Sequence, residues 1–436
     1  MQAEASHRTA RLANGNKLRS IRNTPLKVAL LGYRSNPYSG GQGVYLKYLS
    51  RALTRLGHEV DVISGEPYPE LDSNVTLIKV PGLNLFAADN HVTALRWHHL
   101  TSYADSVEWL SMLTGGFAEP YTFGLRLRKL LHARLSRYDV IHDNQSLCYE
   151  LLKIERRGIP LITTIHHPIT SDRDIALNNA KNWGERLLIR RWHSFLNMQV
   201  RVASRLRHIV TVSNSSKKDI AASFRIPADR ISVVPNGIDR DDFHPLPGVS
   251  RNPHQIISTA SADQPLKGTA CLIQAFAQIR EHISDAQLVL IGQPKPGGAN
   301  DRLIDQLNLR HAISFRHHIS TAEICSLYAR SSLALVPSEY EGFGLPAGEA
   351  MACGVPVVST RGGALPEVVG DAGILVPVRD PQAMARAALE VLGNNELHTT
   401  LARKGLNRIK QEFCWDRVAL DMTQLYKALL RESAAA

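Results

Sequence analysis

Two glutamates eight residues apart mark the part of this chain best suited to chemistry. Glu341 and Glu349 follow the apolar run 333–336, and Pro346 lies between them. Because proline is favoured in the first turn of a helix, the pattern predicts a buried strand, a loop carrying Glu341 and a helix carrying Glu349. The amides of residues 342–344 would then lack partners within the helix.

Unpaired amides at a helix start favour a phosphate, and a carboxylate that accepts two hydrogen bonds suits the vicinal hydroxyls of a sugar or ribose. Together these groups suggest a site for a nucleotide sugar. The alternative is a helix whose acidic first turn complements the helix dipole, which is common. Two glutamates alone favour this alternative, so the surrounding sequence has to decide between the two interpretations.

The surrounding sequence, residues 337–358, resembles the E-x7-E region of retaining family-4 glycosyltransferases. The resemblance extends over nearly all of residues 27–425, and its segments occur in the family's order: the glycine-rich loop 32–44, His166, residues 234–239, Lys267-Gly268 and the Glu341 block. It implies an α/β protein of the GT-B fold, with two doubly wound Rossmann-like domains, an interdomain cleft and a C-terminal helix that crosses back to the first domain.

The resemblance also implies roles for individual residues. Lys267 would neutralise the donor diphosphate, Glu341 would hold the donor sugar, and Glu349 would hold the ribose. His166 would contact the donor sugar, with His167 as the neighbour that could be the true counterpart. The catalytic set is therefore Lys267, Glu341 and His166; the donor-binding set is Gly41, Gly43, Gly342, Phe343, Gly344, Leu345 and Glu349; and Asn144 and His167 are placed on the acceptor side.

The chain departs from the family pattern at one cationic position. Where the family has Gly-Arg ahead of the Lys-Gly pair, this sequence has Ser261-Ala262. At about 4 Å and an effective dielectric constant of about 20, one charge contact is worth about 4 kcal/mol before desolvation. Another cation is therefore expected to compensate, and Arg316 and Arg361 are both candidates.

Alternation of short apolar runs with helical stretches predicts two parallel-sheet domains. We expect a flexible basic tail over residues 1–24, an acceptor-side domain over 25–238, a nucleotide-sugar domain over 239–414 and a crossover helix over 415–436. The long connection within the first domain, residues 84–131, is either a helical insertion packed on the sheet or a flap that faces the acceptor.

A dinucleotide-dependent oxidoreductase is a rival interpretation of the glycine-rich loop. Its fingerprint needs glycines directly after the first strand and an acidic residue at the end of the second strand. Here Gly40 follows Leu31 only after a whole loop, and Asp61 lies inside its strand. The spacing therefore disfavours that class.

Composition excludes several other classes. The 51 Lys and Arg against 40 Asp and Glu give a net charge of +11, but no nucleic-acid-binding signature accompanies it. No apolar run reaches the roughly 20 residues of a spanning helix, no signal peptide is evident, and the five cysteines form no C-x-x-C pair. A cytoplasmic protein with reduced thiols is expected. The triplets Asp172-Arg-Asp174 and Asp239-Arg-Asp241 do not directly follow buried strands, so no metal is predicted.

A cationic face is expected between Lys181 and Arg207. If this segment is helical, Arg186, Arg190, Arg201 and Arg205 fall in one sector. The face is either solvated or makes peripheral contact with an anionic membrane, at the inner face of the membrane for a cytoplasmic protein.

The resemblance thus implies a metal-independent, cofactor-free retaining glycosyltransferase. It would move a hexose from a nucleoside-diphosphate sugar, with UDP favoured over GDP, to a hydroxyl acceptor such as a glycolipid, polysaccharide or small-molecule precursor. No protein nucleophile is required. The alternatives are a nucleotide-sugar epimerase of the same fold and a non-catalytic donor-binding protein. The oligomeric state is left open.

Overall fold

The computed structural model describes residues 24–37, 41–88, 90, 94–131, 134–259 and 264–435. The predicted basic tail, apart from Thr24, and the Ser261-Ala262 position lie outside the described residues. The chain forms two compact units. The first contains the described residues up to 212, residues 217–234 and residues from 418 onward, and the second contains residues 213–216 and 235–417.

The first unit is built on a seven-stranded parallel sheet. Its strands are β1 Lys27–Gly32, β2 Glu59–Ser64, β3 Thr76–Lys79, β4 Val140–Asn144, β5 Leu161–Thr164, β6 Ile209–Thr211 and β7 Ile231–Val233. They pair in the order β3-β2-β1-β4-β5-β6-β7, so the strand order reverses between β1 and β4. Ligands of doubly wound sheets bind outside the carboxyl ends of the strands at this point.

Eight helices belong wholly or partly to the described portion of this unit before residue 234: α1 Gln42–Arg55, α2 Tyr103–Leu113, α3 Glu119–Leu131, α4 Tyr149–Arg156, α5 Ile169–Asn179, α6 Trp183–Trp192, α7 Leu196–Ala203 and α8 Asn214–Phe224, whose first residues lie in the second unit. Short 3₁₀ turns are Leu85–Ala87, Trp97–His99, Leu135–Arg137, His193–Phe195 and Ala228–Arg230. The core combines sheet residues such as Leu31 and Ile141 with helix residues such as Leu151.

The long connection over residues 84–131 is a helical insertion whose second helix packs into the core. Phe123 and Leu127 of α3 are buried in the same cluster as Leu31 of the sheet. The first helix, α2, is more exposed, and Leu110 retains 54% of its accessible surface. The packed interpretation therefore holds for α3, whereas α2 forms an outer layer.

The cationic segment is not one continuous helix. A 3₁₀ turn, His193–Phe195, separates α6 from α7. Arg186 and Arg190 therefore lie on one helix and Arg201 on the next, so the expectation of a single helical sector is wrong. The aromatic residues around the turn pack inward, as Trp192 stacks on Phe117 with ring centroids 5.3 Å apart, and this packing overrides the local periodicity.

The second unit is built on a six-stranded parallel sheet of order β10-β9-β8-β11-β12-β13. Its strands are β8 Asn252–Thr259, β9 Gln287–Ile291, β10 Ile313–Arg316, β11 Ser331–Val336, β12 Val357–Thr360 and β13 Ile374–Val376. Its helices are α9 Thr269–His282, α10 Ala299–Gln306, α11 Thr321–Arg330, α12 Leu345–Ala352, α13 Leu365–Val369, α14 Pro381–Gly393 and α15 Asn395–Glu412, with 3₁₀ turns Pro265–Lys267 and Arg310–Ala312. Here the strand order reverses between β8 and β11.

The last helix, α16 Trp415–Ala435, returns to the first unit from residue 418 onward, as predicted. The Tyr426 hydroxyl lies 2.6 Å from Nδ1 of His142, and Nε2 of His142 lies 2.7 Å from Oγ1 of Thr164. Thr423 makes a similar contact with His58, at 3.0 Å. Burial, and secondarily the charge of His166, lowers the pKa of His142 to about 3, so its imidazole is neutral.

Tyr426→Phe is expected to destabilise the folded protein by about 1–3 kcal/mol, because it leaves Nδ1 of the buried His142 without its hydrogen-bond partner. Equilibrium unfolding in urea at pH 7 measures the change. Tyr103→Phe is the matched control, because Tyr103 retains 71% of its accessible surface and water can replace lost contacts. Equal stability of the Tyr426→Phe variant and the wild type would show that α16 is not fastened by this contact.

Candidate active site

Lys267 and Glu341 meet at the point where the strand order of the second unit reverses. Lys267 lies on the connection after β8, and Glu341 follows the adjacent strand β11. Parallel neighbours end at the same edge of a sheet, so residues 74 positions apart come together. Nζ of Lys267 donates to Oε1 of Glu341 at 2.7 Å, and the Ser338 hydroxyl donates to the same oxygen at 2.8 Å.

The loop carrying Lys267 packs directly on the loop carrying Glu341. Gly268 has a φ of +64°, and a Cβ atom there would lie 2.0 Å from the carbonyl oxygen of Pro337. Only glycine combines that backbone conformation with so close an approach. The amide of Glu339 also donates to the carbonyl of Leu266 at 2.8 Å. The glycine of the Lys-Gly pair is therefore explained by packing of backbone on backbone.

Glu341 is held from its other side by the connection after β12. The amide of Ala364 donates to the Glu341 carbonyl at 2.8 Å, and a Cβ atom at Gly363 would lie 2.3 Å from that oxygen. No hydrogen bond from the described part of the chain reaches Oε2 of Glu341. This second oxygen is thus available to accept hydrogen bonds from a ligand.

Two serines, which the sequence did not point to, orient the peptide after Glu341. The hydroxyls of Ser213 and Ser216 donate to the Gly342 carbonyl at 2.7 and 3.0 Å. Because a trans peptide is planar, the amide N–H of Phe343 must point the opposite way. The Phe343 side chain is buried and packs on Phe413, with ring centroids 5.7 Å apart. Phe343 can therefore contact a bound ligand only through its backbone amide.

The N-terminal residues of α8 are hydrogen-bonded to a glutamate of the second unit. The amides of Asn214 and Ser215 donate to the Glu367 carboxylate, each at 2.8 Å. An anionic side chain at a helix start is favourable because the first amides lack helical partners. No spacing pattern could have linked these residues to the Glu341 loop, since more than 120 positions separate them.

Glu349 lies in α12, whose N-cap, Gly344, has a φ of 107°. It is half-buried, and none of the described residues donates a hydrogen bond to its carboxylate. Burial, and secondarily the charge of Glu341, raises the pKa of Glu349 to about 7. A partly desolvated carboxyl group without a protein partner is suited to a ligand that brings its own hydroxyl donors.

The predicted residues of the first unit form a second group, at the ends of β4 and β5. Nδ2 of Asn144 donates to the Gln42 carbonyl at 3.0 Å, so its Oδ1 is the atom that lies 2.7 Å from Nε2 of His166. That oxygen can only accept, hence Nε2 carries the proton and Nδ1 keeps its lone pair. Burial, and then the charge of His167, lowers the pKa of His166 to about 3. His166 is therefore a neutral hydrogen-bond acceptor.

Gly41 and Gly43 shape the start of α1 in the same group. Gly41 is the N-cap, with a φ of 72°, and a Cβ atom at Gly43 would lie 2.3 Å from the Asn36 carbonyl oxygen. His167 points elsewhere from its neighbour, with Nε2 3.0 Å from Oδ2 of Asp172. His166, rather than His167, contacts Asn144, which favours His166 as the site residue.

The two Asp-x-Asp triplets have local partners. Asp172 pairs with His167, and Oδ1 of Asp239 accepts from the amides of Asp241 and Asp242 at 2.9 and 3.0 Å. Within the described ranges, no group of three or more His, Cys, Asp or Glu is arranged to hold a metal. Neither Arg316 nor Arg361 makes a described contact with Lys267 or Glu341, so the cation that compensates for Ala262 stays a prediction.

Family models match most of the chain. Residues 39–242 match the model for Glycosyltransferase Family 4, and residues 253–394 match the model for glycosyl transferases group 1. The MMP alpha-(1->4)-mannosyltransferase of Mycolicibacterium hassiacum is 41% identical over 94% of this chain and 100% of that protein. The glycogen synthase of Mycobacterium tuberculosis is 29% identical over 90% and 92% of the two chains. The chain therefore belongs to the glycosyltransferase family that these two models describe.

Solved structures agree on the fold. The sucrose-phosphate synthase of Thermosynechococcus elongatus superposes with a TM-score of 0.67 at 23% identity, covering 93% of this chain and 99% of the other. Anabaena Alr3699/HepE, solved in complex with UDP, gives a TM-score of 0.67 at 17% identity, covering 92% and 100%. The protein is thus a GT-B glycosyltransferase. Among its described residues, no helix is long and apolar enough to cross a membrane.

Proposed function

We propose that the protein is a retaining, metal-independent glycosyltransferase that moves a hexose from a nucleoside-diphosphate sugar to a hydroxyl acceptor. One observation carries the proposal. Lys267 and Glu341 are paired at 2.7 Å at the carboxyl edge of the second sheet, and Glu349, in the helix that follows, has a carboxyl group without a described partner. These three side chains supply a cation for a diphosphate and two carboxylates for sugar and ribose hydroxyls.

The chemistry follows from these groups. The bond between the anomeric carbon and the diphosphate oxygen breaks, and the acceptor hydroxyl attacks from the face that the diphosphate leaves. The hydroxyl proton passes to the departing phosphate oxygen, so the step is balanced without a protein nucleophile. Lys267 stabilises the negative charge on the leaving group, and Oε2 of Glu341 orients the sugar. Neutral His166 would accept a hydrogen bond from a sugar hydroxyl through Nδ1.

The donor is a further part of the proposal. The 41% identical relative is named a mannosyltransferase, which makes mannose the first sugar to test. The expected preference for UDP over GDP is part of the proposal, and Anabaena Alr3699/HepE, which shares the fold, was solved with UDP. The acceptor class, a glycolipid, polysaccharide or small molecule, remains a prediction.

A donor panel tests the function directly. The purified protein is incubated with UDP-glucose, UDP-galactose, UDP-mannose and GDP-mannose, without acceptor and with EDTA, and free sugar and nucleoside diphosphate are quantified. Slow release of both products from one donor is the expected result. Isomerisation of the sugar would identify an epimerase, and binding without turnover would identify a non-catalytic protein. With a productive acceptor, NMR of the new linkage should show the donor's anomeric configuration, and inversion would refute the retaining mechanism.

A further inference from the structure

Among the residues that the structure describes, the first unit exposes an apolar surface. We call it the α2/α6 patch and define it by the five residues Leu110, Leu113, Trp183, Leu187 and Leu188. Their accessible fractions range from 46% for Leu113 to 75% for Trp183. The ten-residue helix α6 contains no buried residue, although half of its side chains are large and apolar. Single exposed leucines are ordinary, but three exposed large apolar side chains on one short helix, Trp183, Leu187 and Leu188, are not.

The patch is held in place rather than loosely attached. Trp192, at the end of α6, stacks on Phe117 at 5.3 Å. Arg191 donates to Oγ1 of Thr114, just beyond α2, at 2.7 Å. The two helices border an open groove of about 620 Å³, lined mainly by apolar side chains that include Leu113 and Leu188. The exposed face of α6 is therefore a fixed surface beside an apolar groove.

The segment that contains α6 and α7 carries charge of one dominant sign. Residues 181–207 contain seven lysines and arginines and a single glutamate. Arg190, Arg201 and Arg205 are exposed, and no carboxylate among the described residues forms an ion pair with them. Glu185 is engaged locally by the amide of Lys181 at 2.7 Å. The free positive charge is therefore available to an external anion.

We propose that the α2/α6 patch docks on the surface of an anionic lipid bilayer. Trp183 and Leu187 enter the boundary between headgroups and acyl chains, the groove takes apolar chain segments, and Arg190, Arg201 and Arg205 contact lipid phosphates. A Trp/Leu face flanked by arginine is the composition that binds in this interfacial plane. A second copy of this chain is a poor occupant, because two surfaces of the same positive sign repel each other.

Vesicle sedimentation tests this docking. The full chain is mixed with vesicles of phosphatidylcholine alone or of phosphatidylcholine and phosphatidylglycerol at 7:3. We expect binding to the anionic vesicles only, weakening as salt rises from 50 to 300 mM. The triple variant Arg190→Gln, Arg201→Gln, Arg205→Gln and the double variant Trp183→Ser, Leu187→Ser should each bind at least tenfold more weakly. Circular dichroism and unfolding midpoints establish that both variants are folded.

Matched controls remove the same groups from the second unit. Arg330→Gln, Arg386→Gln, Arg403→Gln deletes three exposed arginines, and Leu307→Ser, Val378→Ser deletes two exposed apolar side chains. Both controls should bind anionic vesicles like the wild type. Equal weakening by both arginine triples would reveal a bulk charge effect and overturn the proposal, as would failure of the wild type to bind.

Two further measurements separate the remaining outcomes. Brominated lipids should quench tryptophan fluorescence in the wild type, and Trp183→Phe should remove most of that quenching. Light scattering after gel filtration reports the mass in solution, and conversion of a dimer to a monomer by Trp183→Ser, Leu187→Ser would assign the patch to self-association instead. Donor breakdown without vesicles should be unchanged in the patch variants, so this test is independent of the proposed catalytic function.

Discussion

Replacing Lys267 by alanine is expected to lower kcat for donor breakdown by about a thousandfold or more, with a smaller change in KM. The ammonium group pairs with Glu341 at 2.7 Å, and in the proposed reaction it would face the diphosphate as negative charge develops there. Removing one preorganised donor at such a position typically costs about 10²–10³ in kcat, and here a full positive charge is lost as well. Initial rates on the best donor of the panel measure the effect.

Two control variants show whether a change in kcat comes from loss of the Lys267 side chain in particular. Lys267→Arg keeps the charge but not the point geometry of an ammonium, so we expect partial activity. Lys410→Ala removes an exposed lysine elsewhere in the second unit and should leave kcat unchanged. Wild-type rates in the Lys267→Ala variant would contradict the proposed mechanism. Unfolding curves check that the Lys267→Ala variant stays folded, as we expect because Ser338 also donates to Glu341, at 2.8 Å in the wild type.

Replacing Glu349 by glutamine is expected to weaken donor binding about tenfold to a hundredfold, because the carboxylate that we propose as the acceptor for the ribose hydroxyls becomes a neutral amide. At the same time the ligand-free protein should become more stable at pH 8. Titration calorimetry measures the dissociation constant of the donor. Urea unfolding at pH 8 and pH 5 measures the free energy of unfolding.

The sign of the stability change follows from the raised pKa of Glu349. The group titrates at about 7 in the folded protein and at 4.5 ordinarily. Between these values the folded state holds a proton that the unfolded state has released, so stability falls as pH rises and the cost is complete above pH 7. Glutamine removes that cost, which is on the order of 3 kcal/mol at pH 8 and is much smaller at pH 5.

Glu390→Gln serves as the comparison for this experiment. Glu390 is exposed on a helix of the same unit, so neither donor affinity nor stability should change. A Glu349→Gln variant that binds donor as tightly as the wild type would remove Glu349 from the donor site. A variant that gains no stability at pH 8 would show that its carboxylate is solvated in the free protein.

Much of the fold could be predicted because parallel strands buried on both faces read as short apolar runs. The run 333–336 became β11, and Pro346 stands in the first turn of α12 as expected. The cationic segment was harder to predict because its break depends on Trp192 stacking on Phe117, a contact between residues 75 positions apart in the sequence. Local periodicity carries no information about such a contact.

Identity and spacing of residues along the chain alone placed Glu341 on a loop and Glu349 on a helix. The tertiary structure alone decided which groups meet. Adjacent parallel strands bring Lys267 to Glu341, and the Ser213 hydroxyl reaches the Gly342 carbonyl across 129 positions. It also decided that Glu349 has a pKa of about 7, because desolvation depends on the atoms packed around a carboxyl group and not on its neighbours in sequence.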